Sequence, residues 1–267
     1  MKITRDQILA GLSAKIDFIP CDGVECIDTN EIKEAVRLFR TCVFNGYFCT
    51  DPLPVNLDAF IKILYHMLPS QAVADEFIAR IPELRRLLAT DVKAVFDGDP
   101  AAVDYQEVII SYPAITAMTH YRFAHALLKL GVQVIPRAIT ELAHSATGID
   151  IHPGAEIGEY FSIDHGTGVV IGETSVIGNH VRLYQGVTLG ARSFKFDESG
   201  NPMRLPRHPI LEDNVVVYSN SSILGRIRIG HDSIIGGNVW QTQDLPPYSR
   251  VVQGKPQVSY FSDGSGI

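Results

Sequence analysis

The chain has 267 residues, which is enough for one large domain or two domains of ordinary size. Apolar residues make up 46% of the sequence and charged residues 20%, which is the balance of a globular protein in water. The net charge is −7 and Lys and Arg form no basic run, which argues against nucleic acid or an anionic membrane as a partner. No apolar run is long enough to span a membrane, and the first residues lack the apolar core of a signal peptide. We therefore expect a cytoplasmic protein.

The four cysteines all fall within the first fifth of the chain. Their spacing matches no CxxC metal pair, so we expect reduced thiols rather than disulfides or a metal site. They are Cys21, Cys26, Cys42 and Cys49.

Residues 1–147 show helical patterns, and we predict that they form a helical N-terminal domain. Asp28 precedes an amphipathic stretch and is followed three residues later by a glutamate, as in a capping box. Asn56 is predicted to cap a second helix over residues 57–68, whose apolar side chains share one face. Asp99 precedes a proline, a pattern that is typical of a turn. Further helices are predicted over residues 71–80, 82–96, 114–130 and 136–144.

From residue 148 onward the dominant pattern is an apolar residue at every sixth position. This period fits neither an amphipathic helix nor a hairpin sheet, but it is the spacing of a hexapeptide β-helix with three sides per coil. An antiparallel sandwich would need a hairpin turn about every 8–12 residues, which would break the phase. We predict a parallel β-helix over residues 148–245, followed by a C-terminal segment and flexible tail over 246–267. The apolar markers are Ile151, Ile157, Ile163, Ile171, Ile177, Leu183, Leu189, Leu211, Val217, Ile223, Ile229 and Ile235.

Two features interrupt this repeat. The phase shifts by two residues between Ile163 and Ile171, around the sequence Asp-His-Gly-Thr-Gly. A polar stretch rich in Gly and Pro then leaves the repeat at residues 191–209, and we predict a protruding loop of the kind that often forms a functional lid. Glycine often follows the apolar marker directly, as at Gly158 and Gly178, and we predict that it permits a tight bend there.

His165 is the leading candidate for chemistry because it lies at the first interruption, next to Asp164 and a glycine. A ring exposed in a cleft could deprotonate a hydroxyl, and a carboxylate such as Asp150 could hold it in one tautomer. The alternative is a surface histidine at a corner of the coil. Arg207 and His208 close the loop, where an arginine suits bidentate binding of a carboxylate; the alternative is a solvated loop charge.

Three further histidines punctuate the repeat, at His152, His180 and His231. Histidines near an interface between subunits could bind zinc, as in γ-class carbonic anhydrases. These three lack tight spacing and an evident carboxylate partner, so we predict no metal site.

Several motifs carry a resemblance to a known family. The repeat contains Asp-Ile-His-Pro at 150–153, Asp-His-Gly-Thr-Gly-Val-Val-Ile-Gly-Glu-Thr at 164–174, Gln-Gly-Val-Thr-Leu-Gly at 185–190 and Arg-His-Pro at 207–209. The helical region contains Asp-Val-Lys-Ala-Val at 91–95 and Asp-Pro-Ala at 99–101. Together these motifs resemble serine O-acetyltransferases, the hexapeptide-repeat enzymes of cysteine biosynthesis, over most of residues 90–255.

The resemblance implies an α+β architecture in which a helical N-terminal domain precedes a left-handed parallel β-helix with a protruding loop. It implies transfer of acetyl from acetyl-CoA to the hydroxyl of L-serine, with acetyl-CoA as co-substrate and no permanently bound cofactor. It also implies a homotrimer with active sites between subunits. In the family, two trimers often pair through their helical domains.

The roles of the family's catalytic residues can be carried over onto the matching positions. They make His165 the general base and Asp150 its partner. By the same resemblance, Asp99 and Asp164 hold the amino group of L-serine.

Other functional positions also follow from the resemblance. Arg207 and His208 would bind the carboxylate of L-serine, and Gly190 with Ala191 would contact coenzyme A. The sequence departs here from the Gly-Gly-Thr-Gly-type turn of the family, and the loop that follows is longer than usual. The tail resembles family tails whose last residue, here Ile267, enters the active site of O-acetylserine sulfhydrylase; the alternative is a frayed end.

Other functions stay open at this point. A hexapeptide acetyltransferase acting on a sugar, homoserine, phosphoserine or another hydroxyl or amine would share most of these motifs. A γ-carbonic-anhydrase-like metalloenzyme would share the repeat and the histidines. A scaffold without catalysis would share the C-terminal isoleucine.

Overall fold

The computed structural model describes residues 4–12 and 26–254. Within these ranges the N-terminal part is helical, as the sequence predicts. The helices are α1 (Arg5–Leu12), α2 (Thr29–Val43), α3 (Leu53–Met67), α4 (Gln71–Gly98), α5 (Tyr105–Ser111), α6 (Pro113–Lys129) and α7 (Ile135–Thr147). Of the helices described, none combines the length and the apolar composition needed to cross a membrane.

The starts of α2 and α3 differ in how well the sequence predicts them. Asp28 caps α2 as predicted, and its side chain accepts two backbone N–H bonds from the first turn. The prediction for α3 is wrong, because this helix begins at Leu53 instead of after Asn56. Proline in the first turn favours the earlier start, since its missing N–H would have no helical partner there. Asn56 lies inside the helix and donates from its side chain to the carbonyl of Asp51.

Helix α4 is continuous where the sequence predicts two helices separated near Pro82. A proline within a helix costs about 3 kcal/mol because it removes a hydrogen bond and crowds the preceding turn. Phe77 and Leu88 lie on either side of this proline in sequence and are both fully buried. Because burial of one such side chain contributes about 1.5–3 kcal/mol, packing keeps the helix intact.

The remaining helices agree with the sequence to different degrees. The predictions for α6 and α7 are confirmed, with ends shifted by a few residues. Helix α5 is not predicted, because its seven residues are too few to show a clear period. The centre of the helical core is a cluster of four buried phenylalanines whose ring centroids lie 4.9–6.3 Å apart. They are Phe39, Phe60, Phe77 and Phe123.

The rest of the described chain forms a parallel β-helix, so the prediction from the six-residue period is confirmed. The strands are β1 (Asp150–Ile151), β2 (Glu156–Ile157), β3 (Ser162–Asp164), β4 (Val170–Ile171), β5 (Val176–Ile177), β6 (Arg182–Tyr184), β7 (Thr188–Gly190), β8 (Ile210–Leu211), β9 (Val216–Val217), β10 (Ser222–Leu224), β11 (Arg228–Ile229), β12 (Ile234–Ile235), β13 (Trp240–Gln241) and β14 (Arg250–Val251). They stack into three parallel sheets, in the orders β1-β4-β7-β10-β13, β2-β5-β8-β11 and β3-β6-β9-β12-β14. The apolar markers are buried along the axis of this three-sided prism.

The first interruption of the repeat sets the position of His165. Asp150 pairs with Val170, 20 positions later, whereas Val170 pairs with Thr188, 18 positions later. The first coil therefore holds two extra residues, which lie in the predicted phase shift. They widen the corner after β3, where His165 has a φ of 56°.

The prediction that glycine permits the bends after the markers is wrong at Gly158 and Gly178. Neither has a positive φ. A Cβ on Gly158 would lie 2.7 Å from the carbonyl oxygen of Gly178, and one on Gly178 would lie 2.8 Å from the backbone nitrogen of Asp213. These glycines therefore allow consecutive coils to stack closely. The left-handed corners include residues that tolerate this conformation, among them Asn214, Asn220, Asp232 and Asn238.

Helix α6 closes the N-terminal end of the β-helix through its side chains. The first coil has no preceding coil to bond its carbonyl groups. The phenol of Tyr121 donates to the carbonyl of Ala155 at 2.6 Å, and Arg122 donates to two further carbonyls of this coil at 2.7 and 2.6 Å. Arg122 also forms a buried ion pair with Asp91 of α4. The helical region and the β-helix are joined by these polar contacts.

Three further features complete the described chain. Residues 191–209 leave the β-helix between β7 and β8 as the predicted loop, with a short antiparallel bridge between Phe196 and Pro202. Strand pairing continues past residue 245, because β14 pairs with β12. Cysteines 26, 42 and 49 are free thiols, and residue 21 lies outside the described ranges.

Candidate active site

One cavity collects three of the residues singled out by the sequence. It lies where the C-terminal end of α4 meets the corner after β3, and it is lined by Asp99, Asp164 and His165. Asp99 is the C-cap of α4, and Asp164 is the last residue of β3. Its polar lining also includes Tyr112, just before α6, Ser162 of β3 and Arg182 of β6. The cavity therefore brings together residues from the helical region and from the β-helix.

The Asp99 carboxylate is held through both of its oxygens. The Tyr112 hydroxyl donates to Oδ2 at 2.7 Å, and the backbone N–H of Ala101 donates to Oδ1 at 2.8 Å. The hydrogen bond from Tyr112, followed by that from the backbone, lowers the pKa of Asp99. The carboxylate is ionised at neutral pH, which suits it to bind a cationic amino group.

His165 presents its ring at the mouth of the cavity, with its side chain 79% exposed in the single chain. Its Nε2 lies 3.6 Å from Oδ1 of Asp164, which is an ion-pair distance but longer than a hydrogen bond. The imidazole thus has a carboxylate on one side and open space on the other. A substrate hydroxyl can reach it from the open side.

Asp150 lies on a different sheet from β3, and His165 occupies the corner between these two sheets. Asp150 opens β1, and its Oδ1 accepts a hydrogen bond from Arg137 of α7 at 3.0 Å. Strand β3, which leads to His165, belongs to another sheet. Asp150 pairs with Arg137 in the structure, and its partnership with His165 stays a prediction.

The end of the protruding loop is fixed by Thr174. The hydroxyl of Thr174 accepts the backbone N–H groups of Arg207 and His208, at 2.9 and 3.1 Å. The Arg207 guanidinium donates to Oε2 of Glu173 at 2.8 Å. The guanidinium of Arg207 therefore already has one carboxylate partner within its own chain.

His208 is a buried, neutral hydrogen-bond donor. Its Nδ1 accepts the backbone N–H of Thr174 at 3.1 Å, which places the ring proton on Nε2. Burial, reinforced by the charge of Arg207, lowers the pKa of His208 to about 4. Gly172 makes room for the donor edge of the ring, because a Cβ there would lie 2.1 Å from Nε2.

A cavity of about 470 Å³ lies between the loop and the connection from α6 to α7. Its polar lining includes Arg137, His152 and Arg207, and loop residues such as Phe194 contribute apolar surface. Of the predicted residues Asp150, Arg207 and His208, only Arg207 lines this cavity, while Asp150 binds its lining residue Arg137. Asp99, Asp164 and His165 thus form one group around the first cavity, and Asp150, Arg207 and His208, which do not line it, form a second group.

No protein-family model matches the chain. A plasmid serine acetyltransferase of Synechococcus elongatus is 52% identical over 192 residues, which are 72% of this chain and 60% of that protein. A serine acetyltransferase of Bacillus licheniformis is 46% identical over 167 residues, which are 62% of this chain and 74% of that protein. The chain belongs to the serine acetyltransferase family.

Solved structures of serine acetyltransferases share the fold. Isoform 3 from Entamoeba histolytica, in complex with cysteine, has a TM-score of 0.77 at 33% identity and matches 96% of this chain and 93% of that one. The Brucella abortus serine acetyltransferase, in complex with coenzyme A, has a TM-score of 0.62 at 25% identity and matches 85% of this chain and 80% of that one. The helical region followed by a β-helix is therefore the architecture of serine acetyltransferases.

Four residues of the two groups were not found by sequence reasoning. Tyr112 and Arg182 line the first cavity, Arg137 binds Asp150, and Thr174 fixes the loop. Tyr112 stands in an apparent turn and Arg182 is the polar outer residue of a strand, so no local pattern marks them. Thr174 closes one of the motifs of the serine acetyltransferase family, but its contact with the loop depends on the stacking of coils.

The predicted coenzyme A and partner positions remain predictions. Gly190 ends β7, and a Cβ there would lie 2.8 Å from the side chain of Leu224. Ala191 follows it and begins the protruding loop. Ile267 lies outside the described residues.

Among the residues described, one group has the geometry to hold a metal ion. It consists of Glu141, His144 and Asp150, whose ligand atoms lie within 4.8 Å of one another. Arg137 forms ion pairs with both carboxylates, so a cationic side chain already occupies both and offsets one of their two charges. We therefore assign no metal to this group.

The three histidines considered as zinc ligands have separate surroundings. His152 accepts at Nδ1 from the backbone N–H of Gly154 at 3.0 Å. The ring of His180 stacks on Tyr160 with centroids 4.5 Å apart. His231 contacts the neighbouring aspartate through Nδ1 at 2.6 Å. None of the three belongs to the group with metal-binding geometry within the described ranges.

Proposed function

We propose that the chain transfers the acetyl group of acetyl-CoA to the hydroxyl of L-serine, giving O-acetyl-L-serine and coenzyme A, as the first step of cysteine biosynthesis. The observation that carries this proposal is the cavity shared by Asp99, Asp164 and His165. It offers carboxylates to an ammonium group and an imidazole to a hydroxyl within one pocket. Membership of the serine acetyltransferase family supports the same substrates.

The chemistry needs only one proton carrier. Neutral His165 takes the hydroxyl proton of L-serine while the serine oxygen attacks the thioester carbonyl carbon, and the carbonyl electron pair moves onto oxygen. The tetrahedral oxyanion then collapses and the C–S bond breaks with its electron pair on sulfur. The imidazolium returns the proton to this sulfur, so coenzyme A leaves as a thiol and no acyl-enzyme forms. Holding both substrates in one ternary complex adds the advantage of proximity.

The second group of residues completes the site in this proposal, from the neighbouring subunit of a homotrimer. Asp150 stabilises the imidazolium form of His165. The guanidinium of Arg207 and the Nε2–H of His208 bind the carboxylate of L-serine. Support for a shared site comes from the cavity around His165, which Asp150, Arg207 and His208 do not line, and from the exposed ring of His165.

Several further parts of the proposal follow the family resemblance. Gly190 and Ala191 contact coenzyme A at the base of the loop, and acetyl-CoA is a co-substrate rather than a resident cofactor. Two trimers pair into a hexamer, and the protein acts in the cytoplasm. Ile267 binds O-acetylserine sulfhydrylase.

The direct test is release of free thiol from acetyl-CoA in the presence of L-serine. The His165→Asn variant should lower kcat by roughly 10²–10⁴-fold, because it removes the general base. Asparagine is chosen because it tolerates the positive φ of this corner. His180→Asn is the matched control, since His180 is a corner residue with a similar φ of 57° and lines neither of the two cavities. Near-full turnover by the His165 variant would exclude this residue as the base.

The same assay separates acceptor classes. L-serine should exceed L-homoserine, O-phosphoserine and simple sugars in kcat/KM, because the site offers carboxylates to an amino group close to the reacting hydroxyl. A higher kcat/KM for a sugar or for homoserine would assign the chain to another acceptor. Carbon dioxide hydration sensitive to chelators would instead support the metalloenzyme alternative.

A further inference from the structure

Tyr112 has no part in the reaction proposed above, yet its phenol lies in the reaction cavity. It shares this cavity with Asp99 and His165, and its oxygen lies 2.7 Å from Oδ2 of Asp99. It precedes α6, the helix that is bonded to the first coil of the β-helix through Tyr121 and Arg122. The position of the phenol is therefore fixed relative to the β-helix.

Asp99 lies at a position where its carboxylate needs a hydrogen-bond donor from outside its own turn. It is the C-cap of α4, where the last carbonyl groups of the helix carry partial negative charge. The N–H of Ala101 belongs to the same turn and holds one oxygen. The Tyr112 hydroxyl is the donor that reaches Asp99 from another element, so it determines which way the second oxygen points relative to His165.

The backbone next to Asp99 is held by a side chain of the β-helix. The Arg182 guanidinium donates to the carbonyl of Gly98 at 3.1 Å. A Cβ on Gly98 would lie 1.9 Å from Nη2 of Arg182, so only glycine allows this approach. Arg182 therefore holds the main chain of the turn, which leaves the direction of the carboxylate to Tyr112.

The phenol keeps its proton across the working range of pH. Acceptance of its hydrogen bond by Asp99 raises the pKa of Tyr112 to about 12. It therefore acts as a constant donor and supplies no proton to the reaction.

We propose that Tyr112 is a positioning residue that orients the Asp99 carboxylate toward the amino group of the acceptor substrate. This inference rests on the proposed function, in which that acceptor is L-serine. Two of the lone-pair positions of the carboxylate are used by Tyr112 and Ala101, and the others stay available to an ammonium group. Without the phenol, Oδ2 of Asp99 loses the hydrogen bond that it receives from outside the turn.

The test compares wild type with Tyr112→Phe, which keeps the ring and removes the oxygen. The KM for L-serine should rise roughly tenfold, because a hydrogen bond to a charged group is lost. Both kcat and the KM for acetyl-CoA should stay within about threefold, since His165 and the thioester site are untouched. Calorimetric titration with L-serine should show the same loss of affinity.

A double-variant cycle separates positioning from a general structural role. In an Asp99→Asn background, Tyr112→Phe should have almost no further effect on the KM for L-serine, because the two residues act as a unit. The matched control is Tyr65→Phe, which removes a similar hydrogen bond from tyrosine to Asp75 on the surface of the helical region. It should leave all kinetic constants unchanged.

The outcomes divide clearly. Three results would overturn the positioning role while wild type still acetylates L-serine. They are an unchanged KM for L-serine in Tyr112→Phe, additive effects of the two substitutions on this KM, and a large loss of kcat at constant KM. Wild type that neither binds nor acetylates L-serine would overturn the proposed function, and this inference with it.

Discussion

At the scale of single residues, His208 links the stability of the fold to pH. Its ring is buried against Thr174 and its pKa lies at about 4 in the folded chain, below the ordinary value of 6.5. As the pH falls, the unfolded chain therefore binds a proton here before the folded chain does. The stabilising contribution is complete above pH 6.5 and is lost progressively as the pH falls toward 4.

The variant His208→Gln should reduce the dependence of folding stability on pH. We expect the midpoint of urea unfolding to drop less between pH 7 and pH 5 in the variant than in wild type, although the variant is less stable at pH 7. Other buried histidines titrate equally in both proteins, so the difference reports on position 208. His180→Asn, at an exposed corner whose φ of 57° asparagine tolerates, serves as the control and should keep the wild-type slope. Equal slopes in all three proteins would contradict the burial of a neutral ring at 208.

At the scale of elements, the junction between α4, α6 and the first coil depends on one guanidinium. Arg122 is almost fully buried and divides its donors between Asp91 and two carbonyls of the first coil. Together with Tyr121, it bonds carbonyl groups that a preceding coil would otherwise bond. The cavity with Asp99 and His165 is formed between these same elements, so the junction also determines the geometry of the site.

Removal of this guanidinium should be costly. Arg122→Met leaves the Asp91 carboxylate buried without its partner, and we expect a loss of about 3–5 kcal/mol in the free energy of unfolding. The measurement is equilibrium unfolding in urea. Arg86→Met is the matched control, because Arg86 joins α4 to Glu159 of the β-helix through an exposed pair and should cost no more than about 1 kcal/mol. Equal losses in the two variants would show that burial does not govern this junction.

At the scale of the whole molecule, the proposed homotrimer would bring the two groups of site residues into one site. His165 follows β3, whereas Asp150 opens β1 on another sheet. A threefold assembly can bring one group of each chain against the other group of its neighbour. In that arrangement the exposed imidazole would become part of an enclosed site.

Mixed trimers test the shared site directly. Chains carrying His165→Asn and chains carrying Asp150→Asn are each expected to be inactive. The two kinds of chain are co-expressed with different affinity tags, and mixed trimers are purified through both tags. Every mixed trimer should hold one intact site and give roughly one third of wild-type activity. Absence of recovered activity in verified mixed trimers would show that both residues serve a site within one chain.

The sequence alone determined the β-helix, because the six-residue period is a local property that follows directly from strand and corner length. It also predicts His165 as a candidate site residue, since an interruption of a strict repeat is visible along the chain. Other predictions failed where packing outweighs local preference: α4 continues through Pro82 because its apolar face stays buried, and Gly158 serves the contact between coils rather than a bend.

Only the tertiary structure decided which chemical groups meet. Asp99 joins His165 because the end of α4 packs against the corner after β3, and Tyr112 reaches Asp99 from yet another element. Asp150, which the family motif links with His165, lies beside Arg137. The physical reason is that periodicity records the neighbours of a residue along its own element, whereas hydrogen-bond partners depend on how distant elements pack together.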